Sequence, residues 1–551
     1  MRLRYVTRTP GGVITDSPSP GYDLATSPWV VAHGCDLLES PVSLGLKDVL
    51  LRAGGLVDVE LPLPPASAML WRVLVVITAR ASGLDEAEDK EEWQDRRCDL
   101  LGAGALDADA VEGYFAAHAD RFDLFHPERP WMQDPRLRTE CPKPSGVNKL
   151  AWGRTAGQNQ VWLGGHHNDL APRPLGAAEA AWHLLATLGN GPSGRCSARV
   201  VRGRNEANVT AGPLRGTVSY HPVGRTLFES LILNIPYPGD AERAHDLAPW
   251  ERPDLDDPLG LPPAPEGPAA MLMGQARHAV LLEPSPDGSE VVDAWVTWAR
   301  RERVETPLDP YLIYQPTKEG RLYARPADAD RAVWRDLDAL LRHGDTRGRR
   351  PNILDDCTQQ SGVPAEILNG ARLRGFGFDQ DGQTRDRQWF AATTPEVLRW
   401  LAERDEEGTE RVRTLRRIGL ARASAEALGR RLDNACKDAW KAANSPGGGG
   451  PRTDTGSGPW ARPAASRYWS RAEAAFWDIA HDRSTSGYTR GAAGPGNAFN
   501  LAALAAYDQV TGPYCERPRV ARVVERFRST LFDNWQPARA QKDTRTKEVG
   551  A

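Results

Sequence analysis

The segment spanning residues 122–135 restricts the fold of this chain most strongly, because it combines large apolar side chains with three prolines. Its sequence is Phe-Asp-Leu-Phe-His-Pro-Glu-Arg-Pro-Trp-Met-Gln-Asp-Pro. Each proline fixes its own φ and favours an extended conformation in the residue before it, so the run cannot continue as a helix. We therefore predict a rigid, buried connector that presents Phe122, Phe125, Trp131 and Met132 to the core.

The next stretch, residues 136–148, has the opposite character. It contains two prolines, a glycine, the basic residues Arg136, Arg138 and Lys143, and no apolar periodicity. Such a composition predicts a long exposed loop that Trp131 anchors at its base. Composition alone leaves a simpler interpretation open, in which the first segment is ordinary core and the loop has no function.

Length and charge set the next limits. A chain of 551 residues should contain two or more domains, because single hydrophobic cores stop growing at about 250 to 300 residues. Its net charge is only -4, so any contact with nucleic acid must come from local basic patches. The seven cysteines form no close pair, which argues against a zinc site or a disulfide framework. The longest apolar run, residues 73–77, is too short to cross a bilayer, so we expect a cytoplasmic protein.

Apolar periodicity predicts helices over residues 66–82, 107–118, 176–188 and 226–234, and a strand hairpin over residues 279–282 and 291–298. Ser43 and Thr394 are candidate N-caps of further helices. From residue 393 onwards, long runs with heptad-like spacing predict a helical bundle. The expected fold class is α+β, with a mixed body over residues 1–392 and a C-terminal helical bundle over residues 393–551.

Common catalytic motifs are absent from the sequence. It has no Gly-x-x-x-x-Gly-Lys-Ser/Thr loop, no His-Glu-x-x-His and no Gly-x-Ser-x-Gly. The best remaining candidate for a metal-dependent hydrolase is the group His166, His167 and Asp169. Adjacent histidines on an extended chain point to opposite faces, so both bind one ion only at a bend. We expect no metal, no cofactor and no catalytic residue, and the hydrolase stays an alternative.

Two basic clusters stand out from the otherwise balanced charge. Residues 194–216 carry five arginines against the single acid Glu206, and Arg199, Arg202 and Arg204 are candidates for a phosphate track beside glycines. A second run, Arg300, Arg301 and Arg303, follows the predicted strand 291–298. The plainer interpretation is that these arginines solvate the surface or pair with acids.

The order of several motifs resembles the CasA family, the large subunit of the type I-E CRISPR surveillance complex Cascade. The buried segment 122–135 is followed by a basic stretch and then by Asn148-Lys149-Leu150. Other fragments similar to the family are Ser27-Pro-Trp29, residues 42–48, residues 176–182, and residues 227–234 followed by Trp250-Glu251. Their collinearity carries the resemblance, since each fragment is weak by itself.

This resemblance implies a non-catalytic subunit that recognises the protospacer-adjacent motif of duplex DNA. Family members approach that motif from the minor groove, help to open the duplex and receive the helicase-nuclease. The implied partners are the other Cascade subunits, guide RNA, double-stranded target DNA and the helicase-nuclease effector, with no membrane. The C-terminal bundle would then be the family's four-helix bundle. A helical scaffold with protein partners only is the leading alternative.

The resemblance also implies roles for individual residues. Trp131 would anchor the nucleic-acid-contacting loop that contains Arg136, Arg138 and Lys143, with Lys149 just beyond it. Gly164 and Gly165 match the family's glycine loop, and Arg300, Arg301 or Arg303 would replace its minor-groove lysine. Asp379, Gln380 and Asp381 would lie at a hairpin tip that resembles the family's glutamine wedge, with Gln380 as the wedge. We expect Arg372, Arg374 or Arg385 to neutralise the two aspartates.

Overall fold

A computed structural model describes eleven stretches of the chain: residues 21–36, 39–157, 167–239, 242–262, 264–304, 308–341, 349–382, 385–401, 410–444, 458–481 and 498–532. The chain divides into two compact units. The first comprises Met1–Val333 and His343–Glu403, and the second comprises Trp334–Arg342 and Arg404–Ala551.

Helices and strands are mixed along the chain, as the sequence predicts. The strands are β1 Val30–Gly34, β2 Val42–Leu44, β3 Leu56–Glu60, β4 Leu175–Gly176, β5 Gly194–Val201, β6 Arg204–Val209, β7 Val218–Val223, β8 His278–Pro284, β9 Glu290–Trp298, β10 Tyr314–Pro316, β11 Leu322–Ala324, β12 Arg372–Asp381 and β13 Arg385–Thr393. The helices are α1 Leu46–Leu51, α2 Ser67–Ser82, α3 Lys90–Ala103, α4 Ala108–Ala117, α5 Leu137–Glu140, α6 Val147–Leu150, α7 Ala177–Asn190, α8 Leu227–Leu233, α9 Pro268–Met273, α10 Leu337–Leu341, α11 Ala365–Gly370, α12 Glu410–Asn444, α13 Ala461–Ala480, α14 Ala498–Thr511 and α15 Pro518–Ser529.

Helix α2 is the central element of the first unit. All of its residues from Ser67 to Ala81 are buried, and it ends at Gly83, whose φ of 68° is readily adopted only by glycine. The helix predicted over residues 66–82 is therefore confirmed, and it is buried on all of its faces. Helices α4, α7, α8 and α9 contact α2, so neighbouring helices cover its remaining faces.

Three three-stranded antiparallel sheets contact α7 or α8, which pack on α2. Strands β2, β1 and β3 form the first sheet in that order. Strands β4, β9 and β8 form the second, which contains the predicted hairpin, with Leu281 opposite Trp295. Strands β13, β12 and β7 form the third, in which β12 is central. Two smaller two-stranded sheets pair β5 with β6 and β10 with β11.

The local predictions met different outcomes. The helices predicted over residues 107–118, 176–188 and 226–234 correspond to α4, α7 and α8. Ser43 is not an N-cap, because it lies in β2 and α1 begins after Gly45. Thr394 is not one either, because its hydroxyl accepts a hydrogen bond from the backbone N–H of Leu373 at 3.0 Å.

The second unit is helical in the part that the structure describes. Helix α12 contacts α13, α14 and α15, and α13 also contacts α14. Trp334 lies against Phe476 with ring centroids 4.5 Å apart, and Arg335 forms an ion pair with Glu426 at 2.8 Å. The buried face of α13 includes Tyr468, whose hydroxyl donates to the carbonyl of Ala425.

Within the stretches described above, none of the helices has the length and apolar character needed to span a membrane.

Candidate nucleic-acid interface

Trp131 is the buried anchor that the sequence predicts. Its side chain is only 1% exposed and contacts Trp29 edge-on, with ring centroids 5.9 Å apart. It also stacks on Trp250 at 6.3 Å. The backbone turns sharply at the next residue, Met132, which is half-buried and has a φ of 54°, an uncommon value for a residue with a side chain. The segment 122–135 is thus a fixed connector, as predicted.

The prediction of a long exposed loop over residues 136–148 is wrong. Two short helices, α5 and α6, order this stretch. Leu137 and Cys141 are buried against Leu281 and Trp295 of the β8–β9 hairpin. The backbone N–H of Ser145 also donates to the carbonyl of Ala294 at 2.8 Å. Leu137 and Cys141 are four residues apart, but α5 is too short to produce a longer periodic pattern, so the sequence did not reveal these anchors.

The basic residues of this stretch, taken together with Lys149 just beyond it, fall into two groups. Arg136 pairs with Asp134 at 2.8 Å, and Arg138 pairs with Glu283 at 2.7 Å. Lys143 and Lys149 are exposed, and neither forms an ion pair within the described residues. The two lysines are therefore the cations of this stretch that are available to a phosphate.

A cleft opens beside Trp131 and Met132, and its walls are rich in arginine. Five arginines and three aspartates line it: Arg121, Arg129, Arg136, Arg252, Arg300, Asp134, Asp254 and Asp256. Arg129 donates to the carbonyl of Arg252 at 2.6 Å. Desolvation lowers the pKa of Arg129, and the nearby charge of Arg121 lowers it further. The excess of cations makes the cleft attractive to an anion.

The three arginines that follow β9 differ in how available they are to a DNA phosphate. Arg300 lies against Asp256 and is partly buried. Arg301 stacks over Trp298 at 4.0 Å and donates to the carbonyl of Asn208 at 2.9 Å. Arg303 is exposed and forms no ion pair within the described residues.

The predicted phosphate track of Arg199, Arg202 and Arg204 does not exist as a surface. Arg199 is fully buried and bonds Asp134 and Glu140, both at 2.6 Å. Arg202 pairs with Asp257, and Arg204 contacts Glu206 at 3.2 Å. Arg199 instead joins strand β5 to the segment around Trp131.

The β12–β13 hairpin carries the predicted wedge residues. Asp381 and the left-handed Gly382 are exposed near its end, whereas Gln380 is half-buried and follows a register shift after Asp379. Asp379 is buried, contrary to the expectation that both aspartates flank an exposed tip. It accepts hydrogen bonds from the backbone N–H of Ala329 at 2.9 Å and from Arg387 at 3.0 Å.

Of the three arginines expected to neutralise the aspartates, Arg385 lies opposite Asp381 in the hairpin register, but Arg374 is used elsewhere. Arg374 pairs with Asp58 through two hydrogen bonds of 2.8 and 2.6 Å, and Arg387 takes the place next to Asp379. A further arginine that the sequence did not single out for the hairpin, Arg215, donates from Nε to Gln380 Oε1 at 2.8 Å. In the sequence, the only indications of such a contact were Gly216 next to Arg215 and the predicted hairpin.

Several predicted parts converge around α6. Asn148 donates from Nδ2 to Asp169 Oδ1 at 3.0 Å, which fixes the chain at Asp169 to α6. Trp152 meets Phe378 of the hairpin edge-on, with ring centroids 5.7 Å apart. Gly164, Gly165 and His166 lie outside the described residues. The hairpin, Lys149 and the flank of the glycine segment thus lie on neighbouring elements.

His278 connects this region to the arginine run, since it pairs in register with Trp298. Burial, with a smaller effect of the charges of Arg215 and Lys149, lowers its pKa to about 4, so the imidazole is neutral at pH 7. Among the described residues, which include His167 and Asp169, no three His, Cys, Asp or Glu side chains are grouped to hold a metal ion.

Comparisons with known proteins agree with one another. The model of the family described as CRISPR-associated protein Cse1 matches residues 23–495. A curated relative from Thermus thermophilus, CRISPR-associated protein CasA/Cse1, is 28% identical over 324 residues, which are 58% of this chain and 60% of the relative. The alignment thus spans less than two thirds of that relative's length.

Solved structures extend the comparison to nearly the whole chain. A chain of a structure titled CRISPR RNA-guided surveillance complex is 64% identical, with a TM-score of 0.82, covering 93% of this chain and all of that one. Thermus thermophilus CasA (Cse1) is 20% identical with a TM-score of 0.69, covering 93% of this chain and 98% of the other. Thermobifida fusca Cse1 is 19% identical with the same TM-score and the same coverage. The last two show the shared fold alone.

Proposed function

This chain belongs to the CRISPR-associated protein Cse1 family, and from that premise we propose that it is the non-catalytic large subunit of a type I-E CRISPR surveillance complex. In this proposal it recognises the protospacer-adjacent motif of duplex DNA from the minor groove, assists opening of the duplex and recruits the helicase-nuclease. Its partners are the other Cascade subunits, guide RNA and target DNA. The long target sequence is left to pairing with the guide RNA.

The observation that carries the DNA-contacting role is the convergence of the β12–β13 hairpin, helix α6 and the flank of the glycine segment. Phe376 and Phe378 are buried beneath the hairpin end and make it a stiff support. A stiff support is what a side chain needs if it is to separate a base pair. Gln380 supplies the polar end that replaces base hydrogen bonds.

Exposed cations near this site supply the phosphate contacts. Lys143, Lys149 and Arg303 are the candidates, because each is exposed without an ion pair in the described part of the chain. Gly164 and Gly165 would let backbone approach the DNA closely, and Arg300 and Arg301 support the run that ends in Arg303. The arginine-lined cleft beside Trp131 and Met132 is a further place for a nucleic-acid phosphate.

The second unit has a separate role in this proposal. Its four long helices, α12 to α15, would form the four-helix bundle that contacts neighbouring subunits. The contacts of α12 with the other three helices support such a bundle. The proposed functional boundary near residue 393 lies at the end of β13, a little before the second compact unit resumes at Arg404.

Salt titration of duplex binding tests the proposal. The complex assembled with guide-bearing partners should bind duplex DNA with a strong salt dependence, and Lys143→Ala and Lys149→Ala should each reduce the logarithmic slope by about 1. Lys47→Ala is the matched control, because Lys47 is already paired with Glu112 at 3.1 Å. Binding without salt dependence would favour the alternative of a scaffold with protein partners only.

Two further measurements separate the remaining alternatives. Gln380→Ala should leave binding to a pre-melted target nearly unchanged and slow the opening of a closed duplex, whereas equal loss on both would remove the wedge role. The pure chain with added divalent metal should cleave neither DNA nor RNA. Cleavage that is lost on His167→Ala would establish the hydrolase alternative instead.

A further inference from the structure

Arg215 is the most constrained side chain at the hairpin. Its guanidinium is fully buried, stacks over the ring of Phe378 at 4.8 Å and donates from Nη1 to the carbonyl of Asn190 at 2.8 Å. It also contacts Asp386 on β13 and donates from Nε to Gln380 on β12. One arginine therefore joins both strands of the hairpin to the end of α7.

The contact with Arg215 determines which way the Gln380 amide faces. A guanidinium is a donor only, so the atom that it contacts at 2.8 Å must be the amide oxygen and not the nitrogen. The amide nitrogen lies against Gly216, where an added Cβ would approach Nε2 to 3.0 Å. Gly216 has a φ of 76°, which also favours glycine.

Gln380 retains an unused donor in this arrangement. Its Nε2 donates no hydrogen bond within the described residues, and the side chain is half-exposed. Because the oxygen is directed at the buried guanidinium of Arg215, the NH2 group, whose hydrogens are both unused, is the polar group that Gln380 offers to a base pair. A glutamine that was free to rotate would offer an acceptor equally well.

We propose that Arg215 and Gly216 form a seat that orients the Gln380 amide so that its NH2 group is presented as a donor to the base pair next to the motif. The proposal rests on the function proposed above and adds a specificity to it. The minor-groove edge of an A·T pair shows only acceptors, whereas guanine adds an N2 amino group that is itself a donor. Gln380 would therefore accept A·T at that pair and disfavour G·C. Arg215 is a positioning residue in this scheme, because it acts through Gln380.

Inosine provides the direct probe, because it is guanine without the 2-amino group. The assembled complex is given closed duplexes with I·C or G·C at the pair next to the motif, and opening is followed by the fluorescence of a base analogue. The quantity compared is the ratio of the opening rate of the I·C target to that of the G·C target. For the natural protein this ratio should exceed the ratio for Gln380→Ala by on the order of tenfold. Taking Gln380→Ala as reference removes the intrinsic difference in stability of the two pairs.

Two variants test the seat. Arg215→Met should reduce the I·C to G·C ratio to that of Gln380→Ala, because the amide is released. Gln380→Glu keeps an acceptor for Arg215 and loses the donor, so it should fold normally and lose the same discrimination. Arg97→Met is the matched control, since Arg97 is also buried, donates to the carbonyl of Leu233 and stacks over Trp93 at 4.8 Å. It should keep the natural ratio.

The outcomes separate this inference from the proposed function. If Gln380→Ala slows opening while Arg215→Met or Gln380→Glu keeps the natural ratio, the seat is overturned and the wedge stands. If Arg97→Met lowers the ratio as far as Arg215→Met, general destabilisation explains the effect and the seat is again overturned. If Gln380→Ala opens closed duplexes like the natural protein, the wedge fails and the seat fails with it.

Discussion

Trp131 stacks on Trp250 with their ring centroids 6.3 Å apart and their planes inclined by 30°. Trp250 in turn donates from its indole N–H to the hydroxyl of Tyr114 at 2.8 Å, and Tyr114 donates to Glu251 at 2.8 Å. The proline-rich stretch after α8 is therefore fixed to the connector 122–135 by aromatic contacts of Trp250 and by hydrogen bonds from Arg129, and it is fixed to α4 through Tyr114.

Replacing Trp131 should destabilise the first unit strongly. We expect Trp131→Ala to lower the free energy of unfolding by about 3 to 5 kcal/mol, because a buried aromatic leaves a cavity between two other tryptophans. Trp131→Phe should cost less, since it retains part of the ring. Thermal or chemical unfolding checks both values, with Tyr323→Ala on the exposed surface as the control, expected within about 0.5 kcal/mol.

The same variant tests the function of the neighbouring stretch. Target binding by folded Trp131→Ala in the assembled complex should be weaker than by the surface variant, because residues 136–148 lose their anchor. Unchanged binding in a folded variant would show that the anchor serves stability alone.

Cysteine reactivity reports whether residues 136–148 are packed as the structure shows. Burial raises the pKa of Cys141 to about 11, and the side chain lies against the β8–β9 hairpin. We expect Cys141 to react with an alkylating reagent about a hundredfold more slowly than an ordinary thiol at neutral pH. Exposed Cys98 is the internal reference in a mass-spectrometric time course. Equal rates at both thiols would indicate that residues 136–148 form the exposed loop that the composition predicts.

Arg199 should matter for stability and not for DNA binding. Arg199→Met leaves Asp134 and Glu140 without their shared buried partner, and we expect a loss of about 3 to 5 kcal/mol in unfolding free energy. The salt slope of DNA binding by the folded fraction should not change. Arg202→Met is the surface counterpart and should cost well under about 1 kcal/mol. A reduced salt slope in Arg199→Met would indicate that Arg199 contacts a DNA phosphate, as the sequence predicts.

The sequence predicts elements better than it predicts the partners of charged residues. Helices α2, α4, α7 and α8 follow from the apolar content and spacing of their own residues. The β12–β13 hairpin likewise follows from a polar Asp-Gly turn after apolar residues. These signals are local, so one stretch of chain contains the whole argument.

Charged residues need distant information. Arg199 and Arg215 lie in one basic stretch, and both are buried because their acceptors come from residues far away in the sequence, such as Asp134 and Asp386. No spacing within residues 194–216 indicates those acceptors. The composition of residues 136–148 predicted an exposed loop for the same reason. Leu137 and Cys141 are anchored by a sheet whose strands lie much later in the sequence.

His278 should make the stability of the first unit depend on pH. Burial lowers its pKa from 6.5 to about 4, and its Nε2 donates to the carbonyl of Pro192 at 3.1 Å, so the folded protein holds the neutral imidazole. The unfolded chain takes up a proton below about pH 6.5, whereas the folded chain does so only near pH 4. The contribution of His278 is therefore complete above pH 6.5 and is lost as the pH falls towards 4, by about 3 kcal/mol in total.

His278→Gln keeps a donor for Pro192 and cannot titrate, so the slope of unfolding free energy against pH should fall by up to about 1.4 kcal/mol per pH unit in this window. Denaturant titrations between pH 4 and pH 7 measure that slope, with exposed His245→Gln as the control. An unchanged slope in His278→Gln would mean that its imidazole is not held neutral by burial.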